Sequence, residues 1–577
     1  MAQAQSGTTS GGPRRWPRAI PPVLVAIAAV AAVYAAVAWH RRWISDDGLI
    51  VVRTVRELLA GHGPVYNAFE RAEPNTSTLW TYVLAVVGAA TGRSLAHLAV
   101  ELGWLFAVAG LVIAMDAARR WHRARGATGS LLPAGALIAL GASPYWDFAT
   151  SGLETGLGQL WIAVAWWLVV ALRSDDRPRR QLLTAVVIGL GPLVRPDFGL
   201  VAIVFLVAAW LVARPRAWRT AVLAGTALAL PLAYEVFRAG YYGALVPLPA
   251  LTKSAAAAQW GRGLAYLANF VRPYALWLPL AALAGVLAAA LLRRSIAGRD
   301  RVIALAPVVA ALVIAIYVVR VGGDFMHARM LLPAAFTAVL PAAVLPVDRR
   351  TAAVLAIVVI WALVVGIRRD DRRSRVSAWW LSDDRLGYRQ WTRDPNPIDP
   401  ELFVIADRPA SQAVADAIRD GRRRLMSEAG DLDVAMNPSL DGPAIYAVGR
   451  LGTGGAVMPL DAIVADTLGL ASPLGARITA TTPGMPGHEK LLPRAWLLAQ
   501  FADPALDTAA MPDAPPRAVS AARHALGCGE LAELLASARA PMTAARFWAN
   551  LVGAARRTAL EIPADPVEAE ARFCGGR

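Results

Sequence analysis

Apolar residues in this chain come in long unbroken blocks, such as Pro21–Trp39 and Thr351–Ile367, and no other feature restricts its fold as much. A soluble protein distributes its apolar residues at helical or strand spacing so that one face stays polar. Runs of roughly 18 or more apolar residues are instead long enough to cross the hydrocarbon of a bilayer. These blocks fill the first two thirds of the 577 residues and lift the hydrophobic share to 56%. From about Arg368 the polarity is ordinary, and the remainder is long enough to build a core of its own. The expectation is a polytopic α-helical membrane domain over residues 1–375, followed by a soluble domain over 376–577. The tail mixes short Gly/Pro turns with apolar runs such as "ELFVIAD", "PAIYAVG" and "LDAIVADTLGL", which predicts an α/β domain.

Spans are expected near 20–39, 95–117, 130–143, 152–172, 181–195, 198–213, 219–237, 273–292, 302–319, 330–347 and 351–367, about eleven in all. Thr78–Gly92 is too short for a crossing and reads as a re-entrant or interfacial helix. The N-terminal block is long for a signal peptide and many spans follow it, so it reads as an uncleaved first span. With this assignment the Arg-rich connectors Arg14–Arg18, Arg119–Arg125, Arg173–Arg180, Arg214–Arg219, Arg293–Arg301 and Asp348–Arg350 share one side. The positive-inside rule makes that side cytoplasmic. One basic run, Arg368–Arg375, falls on the other side, diluted by Asp370 and Asp371. The net charge of +16 is thus dispersed along the topology and does not form a nucleic-acid-binding patch. Cys528 and Cys574 are the only cysteines, both in the tail, and a pair is possible there if the compartment is oxidising.

The loops left on the outer side hold most of the remaining polar chemistry. Ser45–Asn67 reads "SDDGLIVVRTVRELLAGHGPVYN", with apolar residues at helical spacing. It predicts an amphipathic helix on the membrane surface, with Arg53 and Arg56 meeting headgroups. Asp46 and Asp47 open it. One Asp is enough to cap a helix and two side by side repel, so at least one is expected to act as a base on an acceptor hydroxyl. The segment Asn67–Tyr82 offers Glu70, Arg71, Glu73 and Asn75 ahead of the helix-start residues Thr76, Ser77 and Thr78, so local capping is its default reading. Asp147 and Glu154 lie at outer span ends, where a carboxylate is costly unless paired or used. Arg195, Arg238 and Arg329 are their natural partners, and Asp197 follows Arg195 directly. The loop Phe237–Ala255 carries Tyr241 and Tyr242, suited to stacking on a sugar, and ends near Lys253. Lys253 and Lys490 are the only lysines against 56 arginines, and a compact ammonium suits a phosphate. Val319–Pro333 gathers Arg320, Asp324, His327 and Arg329 around a Gly-Gly turn, and His488 and Glu489 precede Lys490 in a turn-rich loop. No metal-binding spacing occurs, so no cofactor is assigned although a divalent cation stays open, and without a P-loop ATP-driven transport has no support.

In order, "SDDGLIVVRTVRELLAGHGPVYN", "NTSTLWTY", "SGLET", "RPDFGL", "GYYGALVP", "GGDFMHARMLLP" and "GHEKLLP" resemble the GT-C glycosyltransferases that use polyprenyl-phosphate sugars. Within them the set is most similar to the terminal β-(1→2)-arabinofuranosyltransferases of mycobacterial and corynebacterial cell-wall arabinan. "NTSTLWTY" and "GGDFMHAR" make that match specific, and it extends over nearly the whole chain. The resemblance implies decaprenyl-phosphate arabinofuranose as donor and the non-reducing ends of arabinogalactan arabinan as acceptor. It also implies a periplasmic C-terminal domain that helps hold glycan, and it places the catalytic acidic pair at Asp46 and Asp47. For the donor phosphate the charged candidates are Lys253, Arg329, Lys490, His488 and Arg320; for the sugars they are Tyr241, Tyr242, Glu154, Asp197, Asp324 and His327. The implied donor and product are both β-linked, so configuration is retained, whereas a lone base gives inversion; two carboxylates can divide the work. A GT-C enzyme for another polyprenyl-phosphate sugar is the main alternative. A lipid-linked sugar transporter would show internal repeats or interrupted helices in matching halves, and neither is evident in the sequence.

Overall fold

The computed structural model describes residues 21–254, 257–292, 296–367, 381–406, 409–480 and 484–575. The membrane part is built from α1 (Pro22–His40), α2 (Asp46–Leu59), α3 (Thr78–Thr91), α4 (Leu95–Ala124) and α5 (Thr155–Ala171). It continues with α6 (Phe198–Ala213), α7 (Ala217–Tyr241), α8 (Trp277–Leu291), α9 (Gly298–Val321) and α10 (Arg349–Ile367). Among the described residues four helices, α1, α4, α7 and α9, are long and apolar enough to cross a membrane. The shorter apolar helices α3, α5, α6, α8 and α10 accompany them. The chain is therefore a multi-pass α-helical membrane protein. The centre of the bundle is the pair α4 and α5, brought together by small residues: a Cβ on Gly156 would lie 2.0 Å from the Gly103 carbonyl oxygen. Only hydrogen side chains allow backbones this close, which is how helices pack where burial from water supplies little drive.

Three of the expected spans are not continuous helices, 181–195 being broken at Leu190 between Pro178–Gly189 and Gly191–Val194. Within 130–143 the chain forms a strand, β1 (Leu131–Pro133), and short helical turns. Within 330–347 it forms a broken helix ending in β2 (Val344–Pro346). The two strands pair antiparallel, Leu131 opposite Pro346. Pro133, Pro341 and Pro346 each remove a helical N–H, and the ladder supplies backbone partners that hydrocarbon cannot. Both runs are apolar because protein buries them. The Arg368–Arg375 run lies outside the described residues.

The tail is α/β. Its four-stranded sheet has the order β4-β3-β5-β6, formed by β3 (Arg424–Ser427), β4 (Asp433–Ala435), β5 (Ala444–Val448) and β6 (Ile463–Asp466). β3, β5 and β6 run parallel and β4 antiparallel. Every residue of β5 is buried, as expected for a central parallel strand with both faces covered. Among the tail's helices are α11 (Asp384–Thr392), α12 (Leu451–Val457), α13 (Ala544–Ala559) and α14 (Pro566–Cys574). A disulfide joins Cys528 to Cys574 and ties down α14.

The sheet docks on the first outer loop, and this changes the reading of α2. Its polar side does not meet headgroups. Arg53 is wholly buried and donates to the carbonyls of Tyr66, Gly455, Met458 and Ala462 at 3.0 to 3.2 Å. Ile50 and Tyr66 share a core with Met426, Tyr446, Val448 and Leu451 of the tail. The amphipathic pattern is real, but its polar stripe receives another part of the same chain.

Candidate active site

The Asp pair separates into two roles. Ser45 caps α2 itself, its hydroxyl accepting from the Gly48 N–H at 3.1 Å, so neither Asp is needed there. Asp46 instead caps α12, accepting from the Gly452 and Thr453 N–H groups at 2.9 and 2.7 Å. Gly452 is required, since a Cβ would stand 1.8 Å from the Asp46 carbonyl oxygen. Burial pushes the Asp46 carboxyl up to about 6, against the pull of its two backbone donors. Asp47, one residue on, points elsewhere and meets Arg329 Nη1 at 2.8 Å.

Arg329 is the hub of the charge network. It is buried and lies 3.3 Å from Asp324 and 3.9 Å from Glu154 as well. Burial opposes its charge, but Asp324, Asp47 and Glu154 outweigh that and hold it above the usual arginine range. Its Nε has no hydrogen-bond partner. Lys253 sits 3.3 Å from Asp324 with its ammonium 5.8 Å from the Phe325 ring centre. Burial alone would raise the Asp324 carboxyl; Lys253 and Arg329 draw it below the ordinary range. Glu154 also faces Arg195 at 3.6 Å. His488 meets the Phe325 ring edge-on at 5.2 Å, and burial with the nearby Lys253 depresses its imidazole.

These groups surround a cavity of about 240 Å³ between the helical bundle and the tail. Asp46, Asp47, Glu154, Lys253, Arg329, Asp384 and His488 line it. Asp384 was not anticipated. It opens α11 beyond the Arg-rich segment, its carboxylate 2.5 Å from the Ser382 hydroxyl, and burial pushes it up to about 7 with Asp47 and Asp324 adding to the rise. A signal did exist: Ser382-Asp383-Asp384 repeats Ser45-Asp46-Asp47, in each case at a helix start. Tyr388, Ser77 and Arg450 complete the wall and were likewise not anticipated as site residues.

Several expected contributors lie away from this lining. Lys490 donates to the carbonyls of Leu251 and Ala476 at 2.8 and 3.1 Å and so fastens one loop to another. Tyr241 stacks on Phe237 at 5.0 Å and Tyr242 donates to the Pro64 carbonyl at 2.6 Å. Asp197 pairs with Arg195 at 2.9 Å, and Asp324 stands behind Lys253 and Arg329. His327 is held by Asn269 and Tyr274 at 2.5 and 3.0 Å beside a separate small void. Arg320 is also outside the lining. Asp147 pairs with Arg41 at 2.7 Å in preference to the arginines expected for it. Glu73 binds Arg238 at 2.6 Å and Glu70 binds Arg539 at 3.1 Å, while Ser77, at the N-cap of α3, donates to the Val194 carbonyl at 2.7 Å and does not cap its helix. Among the described residues the one trio able to gather around a metal is His524, Cys528 and Cys574, but the disulfide leaves no thiolate there.

A charged cavity at the seam between a bundle of apolar helices and an α/β domain describes a multi-pass membrane protein with a candidate active site between its two parts. A family model described as the AftB family C-terminal domain matches residues 430–572. A terminal β-(1→2)-arabinofuranosyltransferase of Corynebacterium glutamicum is 36% identical over 89% of this chain and 82% of its own. The Mycobacterium tuberculosis protein of the same description is 35% identical over 92% and 93%. The chain belongs to this family of terminal β-(1→2)-arabinofuranosyltransferases. Structures of ArnT from Cupriavidus metallidurans, one bound to undecaprenyl phosphate and one apo, cover 83% of this chain and 79% and 78% of their own. They are 16% identical with TM-scores of 0.35 and 0.37, a likeness from which nothing about this chain follows.

Proposed function

We propose that this glycosyltransferase moves arabinofuranose from decaprenyl-phosphate arabinofuranose to the non-reducing ends of cell-wall arabinan, forming the terminal β-(1→2) linkage on the extracytoplasmic face. The observation that carries the reading is the cavity in which Asp47 and Asp384 face Lys253 and Arg329. A polyprenyl monophosphate must present its charge where the lipid leaves the bilayer. Lys253 and Arg329 are the cations for it, with His488 beside them. In this reading Lys490, Arg320, Tyr241 and Tyr242 hold the scaffold.

Retention of configuration calls for two successive displacements. Asp47, ion-paired to Arg329, is placed to attack the anomeric carbon as the polyprenyl phosphate departs with the C–O bonding pair. The acceptor hydroxyl then displaces Asp47, and its proton passes to Asp384. A carboxyl titrating at about 7 suits a proton exchanger, and an ion-paired one suits the nucleophile. Asp46, occupied by Gly452 and Thr453, aligns the tail over the cavity. The tail's partner is glycan, with residues 376–577 acting as a domain that holds the acceptor. The Cys528–Cys574 disulfide supports an oxidising, extracytoplasmic location.

The test is donor choice. Purified protein given decaprenyl-phosphate arabinofuranose or a polyprenyl-phosphate hexose, with a synthetic arabinan acceptor, is expected to use only the former. Transfer from the hexose donor alone would establish the other GT-C reading.

A further inference from the structure

The tail carries a helix whose exposed side does not suit water. α13 presents Trp548 at 62% and Val552 at 83% exposure, followed along the same stripe by exposed Ala555 and Ala559. Its other side is fixed. Asn550 and Arg557 are buried, and Arg557 donates to the Gly243 carbonyl at 3.0 Å. The Thr558 hydroxyl accepts from the Leu245 N–H at 2.9 Å, and Leu245 is itself 40% exposed. Phe547 lies on the backbone of Gly240, where a Cβ would come within 2.2 Å of its ring. Gly240 belongs to the last turn of α7, the most openly exposed of the four long apolar helices.

These contacts set the height of α13 along the bilayer normal. The 25 residues of α7 measure roughly 37 Å, against about 30 Å of hydrocarbon. Its last turn therefore stands in the headgroup layer, and α13 rests against that turn. α7 itself carries exposed apolar residues along its length, with Leu228, Leu232 and Val236 at 50 to 57%, and α13 packs at its end. A tryptophan with an aliphatic neighbour one turn on, flanked by the exposed Arg556, has the composition that settles at the interface.

We propose that the Trp548–Val552 face of α13 is inserted in the outer leaflet's interface, so that the soluble domain is moored to lipid as well as to the helices. The partner is a phospholipid surface. A second copy of the chain or a glycan stacked on Trp548 are the competing occupants. The inference rests on α7 being a span and is independent of the chemistry assigned to the cavity.

The test uses a nitroxide at Val552→Cys in the full chain in phospholipid nanodiscs; the native cysteines are bonded to each other, so one thiol reacts. Matching labels at Leu228→Cys and at the exposed Arg517→Cys report hydrocarbon and tail surface. The label at 552 is expected to collide more with oxygen than with a water-soluble nickel chelate, as at 228, with 517 showing the reverse. Nickel access at 552 equal to that at 517, with 228 still in hydrocarbon, overturns the mooring alone. Nickel access at 228 as well overturns the reading of α7 as a span, and the mooring with it.

Discussion

At the residue scale the account turns on what separates two adjacent aspartates. Their sequence offers no distinction, because the partners of Asp46 lie more than 400 positions away at Gly452 and Thr453. Asp47→Asn keeps the side chain's size but loses its charge and nucleophilicity, and transfer should fall at least about 100-fold. Asp46→Asn keeps one acceptor for α12 and should retain measurable transfer while the tail becomes more open to protease. Initial rates and limited proteolysis of both variants check this. Lys253→Ala should weaken donor use by roughly 10- to 100-fold, the loss of about 1.5–3 kcal/mol from a charge-assisted contact, with acceptor KM unchanged. Asp384 sets the pH dependence. Its carboxyl is raised to about 7, so the ionised form that accepts a proton accumulates as pH rises through that value, and transfer should rise with it. Stability runs the opposite way: the group's contribution is full below the unfolded carboxyl range and is lost as pH climbs to about 7. Asp384→Asn should flatten both curves, read from rates and thermal melts between pH 4 and 8.

At the scale of elements, what could be read from the sequence was local and what could not was long-range. The helix at Asp46–Leu59 follows from apolar spacing behind a Ser cap, but its amphipathic pattern cannot say whether the polar stripe meets headgroups, water or protein. Here it meets protein, through a buried Arg53 surrounded by carbonyls and 3.5 Å from Glu57. Arg53→Ala would strip four buried carbonyls of their donor and leave Glu57 only the His62 ring at 2.6 Å, a loss of about 3–5 kcal/mol. It should release the tail to protease while the helical bundle stays inserted. The apolar runs at 130–143 and 330–347 mark a different limit. Length and hydrophobicity describe a buried strand or broken helix as well as a span, and only the prolines hinted at the pairing of β1 with β2.

For the whole molecule, Arg placement and one disulfide support the same orientation by separate physics. The basic connectors favour the cytoplasm, and the Cys528–Cys574 bond favours an oxidising compartment. An Asp441→Cys variant, exposed in the tail, should react with an impermeant maleimide on intact cells. Reaction only after lysis would place the tail inside. The cavity needs both domains: α2 and the loop around Arg329 bring Asp47 to it, and α11 and the 484–488 loop bring Asp384 and His488. Such a site is legible in pieces, as separate charged motifs, but its membership is set by docking. Hence Lys253, Arg329, Glu154 and His488 were found from their motifs, whereas Asp384 was passed over because it stands in no turn-rich loop of the kind that holds His488. The most direct test is a single assay of purified wild-type and Asp47→Asn protein in nanodiscs, with radiolabelled decaprenyl-phosphate arabinofuranose and a synthetic arabinan oligosaccharide. Wild type should yield the β-(1→2)-capped product and Asp47→Asn, folded and still binding donor, should yield none. Product formed at the wild-type rate by Asp47→Asn would contradict the account.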